Sequence, residues 1–214
     1  MCINMPKTIK EERLRWVLPI YNKEIKLKDV AKGELVEIDV KYAPETIKNQ
    51  QYYQFTVIDC ASRWRYLKIY NDYSNFSSMA FLEELIRMTP FRIRAVKIDN
   101  GSNFTNRYTG YLKSSDPMNP RLRDFDLICQ KYNIIHYLID PGKPAQNGKV
   151  ERSHRTDQEM FYERNKFKNL KDLETKISLW NNVYNNKEHW GLNWKTPNEM
   201  LQLLSINEPT NVCG

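Results

Sequence analysis

The stretch Leu35-Val36-Glu37-Ile38-Asp39-Val40 decides the fold. Its apolar and acidic side chains alternate, which is the two-residue period of a half-buried strand. Two further strands are predicted at 52–58 and 64–70, and the five residues between them are too few for a crossover connection. Those two strands therefore form an antiparallel hairpin.

Beyond residue 74 the apolar period changes to that of helices interrupted by short strands. A helix is predicted to begin at Ser74 or Asn75 and to end before Pro90. The later predicted elements are a strand at 93–98, a short helix near 127–132, a strand at 134–139, a helix from about Asn147 and an amphipathic helix at 170–184. This order predicts an α/β fold whose mixed five-stranded sheet has three antiparallel strands, then parallel strands, and helices on its faces.

Composition limits the protein class. The 214 residues, 41% of them hydrophobic, suffice for one domain with a sizeable core. A net charge of +7 favours a polyanion partner such as nucleic acid. The four cysteines form no CxxC pair, which argues against a zinc finger or a disulfide framework. No apolar run is long enough to span a bilayer, so no membrane partner is expected.

Three carboxylates stand out, although each has an ordinary explanation. Asp39 lies inside a strand, where aspartate is rare, but it would be unremarkable if it faced solvent. Asp99 opens an Asp-Asn-Gly turn, and Glu151 lies near the start of a basic helix, where the helix dipole favours an acid.

Together the three are more informative. If the strands of Asp39 and Asp99 pair in parallel and the helix of Glu151 crosses them, the carboxylates converge at one edge of the sheet. They would repel one another unless a cation neutralised them, and oxygen ligands suit Mg²⁺ or Mn²⁺. Paired metal ions of this kind catalyse in-line phosphoryl displacement.

The chain resembles the catalytic core of the DDE transposases of bacterial insertion sequences, which are relatives of retroviral integrases with a ribonuclease-H-like fold. The matching segments, in chain order, are residues 33–41, Ile58-Asp59 with Ser62-Arg63-Trp64, Asp99-Asn100-Gly101-Ser102-Asn103-Phe104, residues 144–156, and the stretch from Tyr184 to Leu201. Their order over the whole domain is more specific than any single segment. Near the end, Lys187-Glu188-His189 replaces the usual Arg-Pro-His.

The resemblance implies that Asp39, Asp99 and Glu151 are the catalytic and metal-binding triad, holding two Mg²⁺ or Mn²⁺ ions. It implies a magnesium-dependent polynucleotidyl transferase and endonuclease that cleaves transposon ends and transfers strands into target DNA. A homodimer or higher oligomer, cytoplasmic and associated with the bacterial nucleoid, is also implied. Two alternatives stay open, a domesticated non-catalytic DNA-binding or oligomerisation module and a ribonuclease-H-like nuclease.

The helix of Glu151 also predicts a DNA surface. The residues expected there are Lys143, Asn147, Lys149, Arg152, His154 and Arg155. The basic ones would contact the phosphate backbone without much sequence reading, although a solvated helix face would be the preferred interpretation if the neighbouring carboxylates were absent. His154 would hydrogen-bond the scissile phosphate, brace Glu151 or pack against its surroundings. Trp180, Trp190 and Trp194 are expected to pack rather than to stack on bases.

Three segments are predicted along the chain. Residues 1–32 form a basic arm or linker, residues 33–204 form the catalytic core, and residues 205–214 form a tail. Within the core, residues 105–123 interrupt the pattern as an inserted loop, for which an inert surface loop is the default interpretation and a mobile flap or a DNA contact are the alternatives.

Overall fold

The computed structural model describes residues 20–21, 30–44, 47–105, 122–140 and 142–206. Most of the predicted arm, the insertion at 106–121 and the tail from 207 lie outside these ranges. The strands are β1 Ile20–Tyr21, β2 Val36–Tyr42, β3 Tyr53–Asp59, β4 Arg65–Tyr70, β5 Ala95–Ile98 and β6 Ile135–Leu138. The helices are α1 Asn75–Met88, α2 Asp124–Lys131, α3 Gly148–Met160, α4 Leu170–Asn185 and α5 Pro197–Ile206.

The strands form one sheet in the order β1-β6-β5-β2-β3-β4. β2, β3 and β4 are antiparallel, and β5 and β6 add in parallel beside β2, which confirms the predicted mixed sheet. The two-residue strand β1 pairs in parallel with β6 at the edge and was not predicted, because two residues carry no periodic pattern.

The two faces of the sheet are chemically different. On one face, Val36 and Ile38 of β2 pack with α1 and α2 in the largest apolar cluster. On the other face, Leu67 and Ile69 of β4 pack against α4 in a smaller cluster, and α3 crosses β2 and β3. Alternation along β2 directs Glu37 and Asp39 to this second face, toward α3.

Local signals place the helices where they begin. Ser74 caps α1 by accepting a hydrogen bond from the Ser77 amide, and Asn169 caps α4 in the same way through the Asp172 amide. Helix α5 continues to Ile206, so the predicted boundary at residue 204 falls inside a helix. None of the helices in the described ranges is long and apolar enough to cross a membrane.

One packing expectation is wrong. Trp180 packs on Phe161 between α3 and α4, as expected of a core residue. Trp190 and Trp194 are instead 75% and 64% exposed, because the turns after α4 direct both rings to solvent.

Candidate active site

Strand pairing brings Asp39 and Asp99 together. β2 and β5 are parallel, with Val36 opposite Val96 and Glu37 opposite Lys97. Continuing this register by two residues sets Asp39, in the middle of β2, beside Asp99, which directly follows β5. Both side chains are half-buried and line one open pocket. The parallel pairing on which the predicted convergence depended is therefore present.

The turn after β5 fixes the Asp99 carboxylate. Its Oδ1 accepts a hydrogen bond from the Gly101 amide at 3.0 Å, and Asn100 ties the turn to β6 by donating to the Ile139 carbonyl at 3.0 Å. Burial raises the pKa of Asp99, the Gly101 hydrogen bond opposes this, and the charge of Asp39 raises it further. The two aspartates thus repel each other across the strand pair.

Glu151 approaches the aspartates from α3. Its side chain is exposed and lines a different pocket, with Gly148, Arg152 and Arg155, which shares no described lining residue with the pocket of the two aspartates. Partial burial and the charges of Asp39 and Glu37 raise the pKa of Glu151, while His154 lowers it. Asp39 is thus the one member of the triad whose charge acts on both others.

His154 links α3 to the first aspartate rather than to the glutamate. Its Nδ1 lies 3.4 Å from Oδ2 of Asp39, and its main-chain carbonyl accepts a hydrogen bond from Lys41 Nζ at 3.3 Å. Although Glu151 and His154 lie one turn apart on the same face of α3, the His154 ring contacts Asp39 and makes no hydrogen bond to Glu151 among the described residues, so a contact with Asp39 replaces the expected bracing of Glu151.

The carboxylates suit a divalent cation in chemistry but are not gathered around one point. Within the described ranges, no group of three His, Cys, Asp or Glu side chains is arranged to hold a metal ion. The donors are nevertheless all carboxylate oxygens, and their mutual repulsion is of the kind that Mg²⁺ or Mn²⁺ relieves. Asp39 and Asp99 line one pocket and would supply oxygen ligands of the kind that such an ion takes, whereas Glu151 lines a different pocket.

Glu37 and Lys97, which sequence reasoning missed, lie two residues before the two aspartates. Both are essentially unexposed, at 1% and 0%, and Glu37 Oε1 lies 3.0 Å from Lys97 Nζ. Glu37 Oε2 accepts hydrogen bonds from the amides of Lys149 and Val150 at 2.8 and 3.0 Å. These are orphan donors of the first turn of α3, so a carboxylate from β2 caps the helix that carries Glu151.

Asn147 has a structural place instead of the predicted DNA contact. It is 3% exposed, and its side-chain amide donates to the Ile38 carbonyl at 3.1 Å. It makes no side-chain cap for α3, a role taken by Glu37. Asn147 is therefore corrected from a surface contact to a residue that fastens the start of α3 to β2.

The second half of α3 is held by a buried polar network. Asp157 and Arg65 are fully buried, with Arg65 Nη1 2.6 Å from Asp157 Oδ1. Gln54 and the Trp180 indole also donate to the Asp157 carboxylate, at 2.7 and 2.6 Å. Ser153 accepts a hydrogen bond from Arg65 at 2.9 Å. Both halves of α3 are thus positioned by buried charges of the sheet.

The other predicted DNA residues lie on or near the surface. Lys143, Arg152 and Arg155 are exposed, whereas Lys149 and His154 are half-buried. Lys143 is 3.3 Å from Asp140, and Arg155 lines the same pocket as Glu151.

The comparisons with known proteins agree on the class. A family model described as an integrase core domain matches residues 29–144, and a second integrase core domain model matches residues 132–197. The first covers more than half of the chain, so the chain belongs to the integrase core domain family. It is a DDE transposase or integrase-like core with the ribonuclease-H-like fold. A search among curated proteins gives no match.

Solved structures show the same fold at low identity. A chain of the simian T-cell lymphotropic virus intasome, in complex with PP2A regulatory subunit B56 gamma, matches with a TM-score of 0.65 and 15% identity. The match covers 91% of this chain but only 60% of that one. The HTLV-2 integrase catalytic core in complex with magnesium matches with a TM-score of 0.57 and 15% identity, over 81% of this chain and 99% of that one. The BIV integrase catalytic core matches with a TM-score of 0.57 and 17% identity, over 82% of this chain and 98% of that one.

Proposed function

We propose that this integrase-type catalytic domain cleaves DNA at element ends and transfers the strand into target DNA, using Asp39, Asp99 and Glu151. The observation that carries the proposal is the parallel register that sets Asp39 beside Asp99, with the helix of Glu151 capped by Glu37 two residues from Asp39. Domain bounds of 33–204, extended to the end of α5 at Ile206, belong to the same proposal.

The three carboxylates have unequal parts. Asp39, Asp99 and Glu151 would hold the ions, and Asp39 is the member whose charge acts on both of the others. Two Mg²⁺ or Mn²⁺ ions bound there would supply an activated oxygen nucleophile and stabilise the leaving oxygen of the phosphodiester. Lys41 lines the pocket of the two aspartates and offers a cation to the phosphate.

The rest of the site steers DNA. Lys149, Arg152 and Arg155 surround Glu151 on α3 and place positive charge where the backbone must approach. Lys143 lies just before the helix and extends this charge. His154 orients Asp39 through its 3.4 Å contact, which leaves a direct phosphate contact secondary. Assembly as a homodimer or larger oligomer on paired DNA ends, at the bacterial nucleoid, completes the proposal.

The experiment incubates the chain with Mn²⁺ or Mg²⁺ and branched DNA that mimics a strand-transfer product. Asp39→Asn, Asp99→Asn and Glu151→Gln should reduce strand joining to background, because each removes a charged metal ligand. Glu174→Gln, at an exposed site on α4, is the matched control and should keep the wild-type rate. Equal activity in all five proteins would refute the triad.

Metal binding gives a second measurement that does not depend on the DNA sequence. Asp39→Asn should weaken Mn²⁺ binding in calorimetric titration, whereas Glu174→Gln should not. Unchanged Mn²⁺ affinity in Asp39→Asn would contradict the assignment. An RNA·DNA hybrid serves as an additional substrate, since triad-dependent cutting of the hybrid alone would favour the ribonuclease alternative.

A further inference from the structure

A basic pocket lies beside the pocket of Glu151. It is bounded by the turn after β3, the first half of α3 and residues 189–191, which follow α4. Among the described residues, its lining includes three cationic side chains, those of Arg63, Lys149 and Arg152, together with Trp190 and no Asp or Glu. Arg152 and Thr156 also line the pocket of Glu151, so the two pockets adjoin.

The three cations of the basic pocket lack internal counter-charges. Within the described ranges, neither an ion pair nor a side-chain hydrogen bond joins any of them to another residue. Burial lowers the pKa of the neighbouring His189, and the charge of Arg63 lowers it further. Uncompensated positive charge with no acid in the lining favours an anionic ligand.

Fixed backbone presents these groups. Arg63 adopts a left-handed conformation with φ of 63°, and its amide donates to the Asp59 carbonyl at 3.0 Å. On the opposite wall, the His189 ring packs against Tyr184 with 4.6 Å between centroids. Gly191 faces the Arg63 guanidinium, whose Nη2 lies 4.0 Å from the position that a Cβ would take.

Trp190 supplies an aromatic face at the rim of the basic pocket. It is 75% exposed, unlike Trp180, which packs in the interior. Exposed aromatic rings beside a cationic groove are the elements on which unpaired bases stack while phosphates are held. An acidic peptide would satisfy the cations but has no comparable use for the ring.

We propose that the basic pocket binds a nucleotide of the DNA strand outside the scissile position, with its phosphate between Arg63, Lys149 and Arg152 and its base on Trp190. This inference rests on the proposed function, because it takes DNA as the ligand. Since Arg152 belongs to both pockets, one strand can pass from the triad into the basic pocket. The segment around His189, whose sequence departs from the resembled family, thereby gains a role in holding DNA.

The first test measures DNA binding by fluorescence anisotropy without divalent metal. Arg63→Gln should weaken binding several-fold at 50 mM NaCl and reduce the slope of log affinity against log salt by about 0.9 for duplex DNA. Arg94→Gln removes the same charge from an exposed site at the far end of β5 and should change affinity less than twofold. Arg63→Lys should retain the wild-type slope, and thermal melting confirms that each variant folds.

The second test addresses the base. Trp190→Leu should weaken binding of a duplex with a three-nucleotide overhang by about fivefold or more, and a blunt duplex less than twofold. Trp194→Leu is the matched control, because that ring is exposed but does not line the pocket.

Four results would overturn the proposal. They are no DNA binding by the wild-type chain, equal losses in Arg63→Gln and Arg94→Gln, equal losses on both duplexes in Trp190→Leu, and loss of self-association with unchanged DNA affinity in Arg63→Gln. The last would identify a protein partner. The comparison of Arg63→Gln with Arg94→Gln is repeated in the Asp39→Asn background. DNA binding through the basic pocket should persist there, so this experiment distinguishes failure of this proposal from failure of the catalytic one.

Discussion

The aspartates and the glutamate reach the candidate active site by different routes. Asp39 lies in β2 and Asp99 directly follows β5, so the parallel pairing of these strands and the turn held by Gly101 set where the two carboxylates lie. Glu151 is exposed on α3, and only tertiary contacts hold that helix in place. Two of the three carboxylates are therefore fixed by the sheet, whereas the third depends on whatever anchors α3.

Buried charges anchor α3 in both halves. Glu37, paired with Lys97, holds its first turn, and Arg65 holds Asp157 in its last turns. Buried ion pairs often add little net stability over apolar side chains, because both charges lose their hydration. We infer that these pairs serve mainly to fix the position of the helix, since apolar contacts alone would let it slide.

Breaking the Arg65–Asp157 pair should have the largest effect on stability. Asp157→Ala leaves a fully buried guanidinium uncompensated and removes the acceptor used by Gln54 and Trp180. We expect the free energy of unfolding to fall by about 3–5 kcal/mol, measured by urea denaturation. Glu174→Ala, at an exposed helical site, should change it by less than about 0.5 kcal/mol.

A double substitution tests whether the stability lost in Asp157→Ala comes from the unpaired charge of Arg65. Arg65→Met with Asp157→Leu should recover most of the stability lost in Asp157→Ala, because no unpaired charge remains. If Asp157→Ala alone stays within about 1 kcal/mol of wild type, the network does not anchor α3.

Glu37→Gln should have a smaller effect on stability but a clear one on catalysis. The amide oxygen can still cap Lys149 and Val150, while Lys97 loses its counter-charge, so we expect a loss of about 2 kcal/mol. A small shift of α3 would misplace Glu151 and slow strand joining by up to about 100-fold. Mn²⁺ binding at the aspartates should persist, since their strand register is untouched.

The rescue variant combines Glu37→Gln with Lys97→Met, because the second substitution removes the buried charge that the first leaves unpaired. It should regain stability in urea denaturation. Strand joining by Glu37→Gln at the wild-type rate would show that the buried carboxylate does not position Glu151.

Much of the sheet could be predicted because its signals are local. Alternation in 35–40 and the short connection between the next two strands specify the antiparallel part. Ser74 and Asn169 mark helix starts through their own side chains. The edge strand Ile20–Tyr21 could not be predicted, because its only determinant is a partner more than a hundred residues away.

Less of the site could be predicted, since its support is non-local. The triad could be predicted because aspartate is rare inside a strand and the family resemblance marks all three acids. The cap of α3 could not, because Glu37 looks in the sequence like any polar residue of a half-buried strand. A signal existed in hindsight, because Glu37 and Lys97 are opposite charges placed two residues before the two aspartates. Asn147 was placed on the surface because its burial depends on β2, which helix spacing does not reveal.

The smallest predicted effects compare one glycine on each side of the site. A Cβ at Gly101 would lie 2.6 Å from Asn103 Oδ1 and 2.9 Å from Asp99 Oδ1, so Gly101→Ala must displace the Asp99 carboxylate. We expect it to lower the free energy of unfolding by about 1 kcal/mol and to weaken Mn²⁺ binding. At Gly148, in the first turn of α3, nothing lies within 4 Å of a Cβ and the backbone is helical. Gly148→Ala should therefore raise stability by about 0.4–1 kcal/mol. If urea denaturation shows that both substitutions change the free energy of unfolding in the same direction, the packing around Asp99 is no closer than the packing at the start of α3.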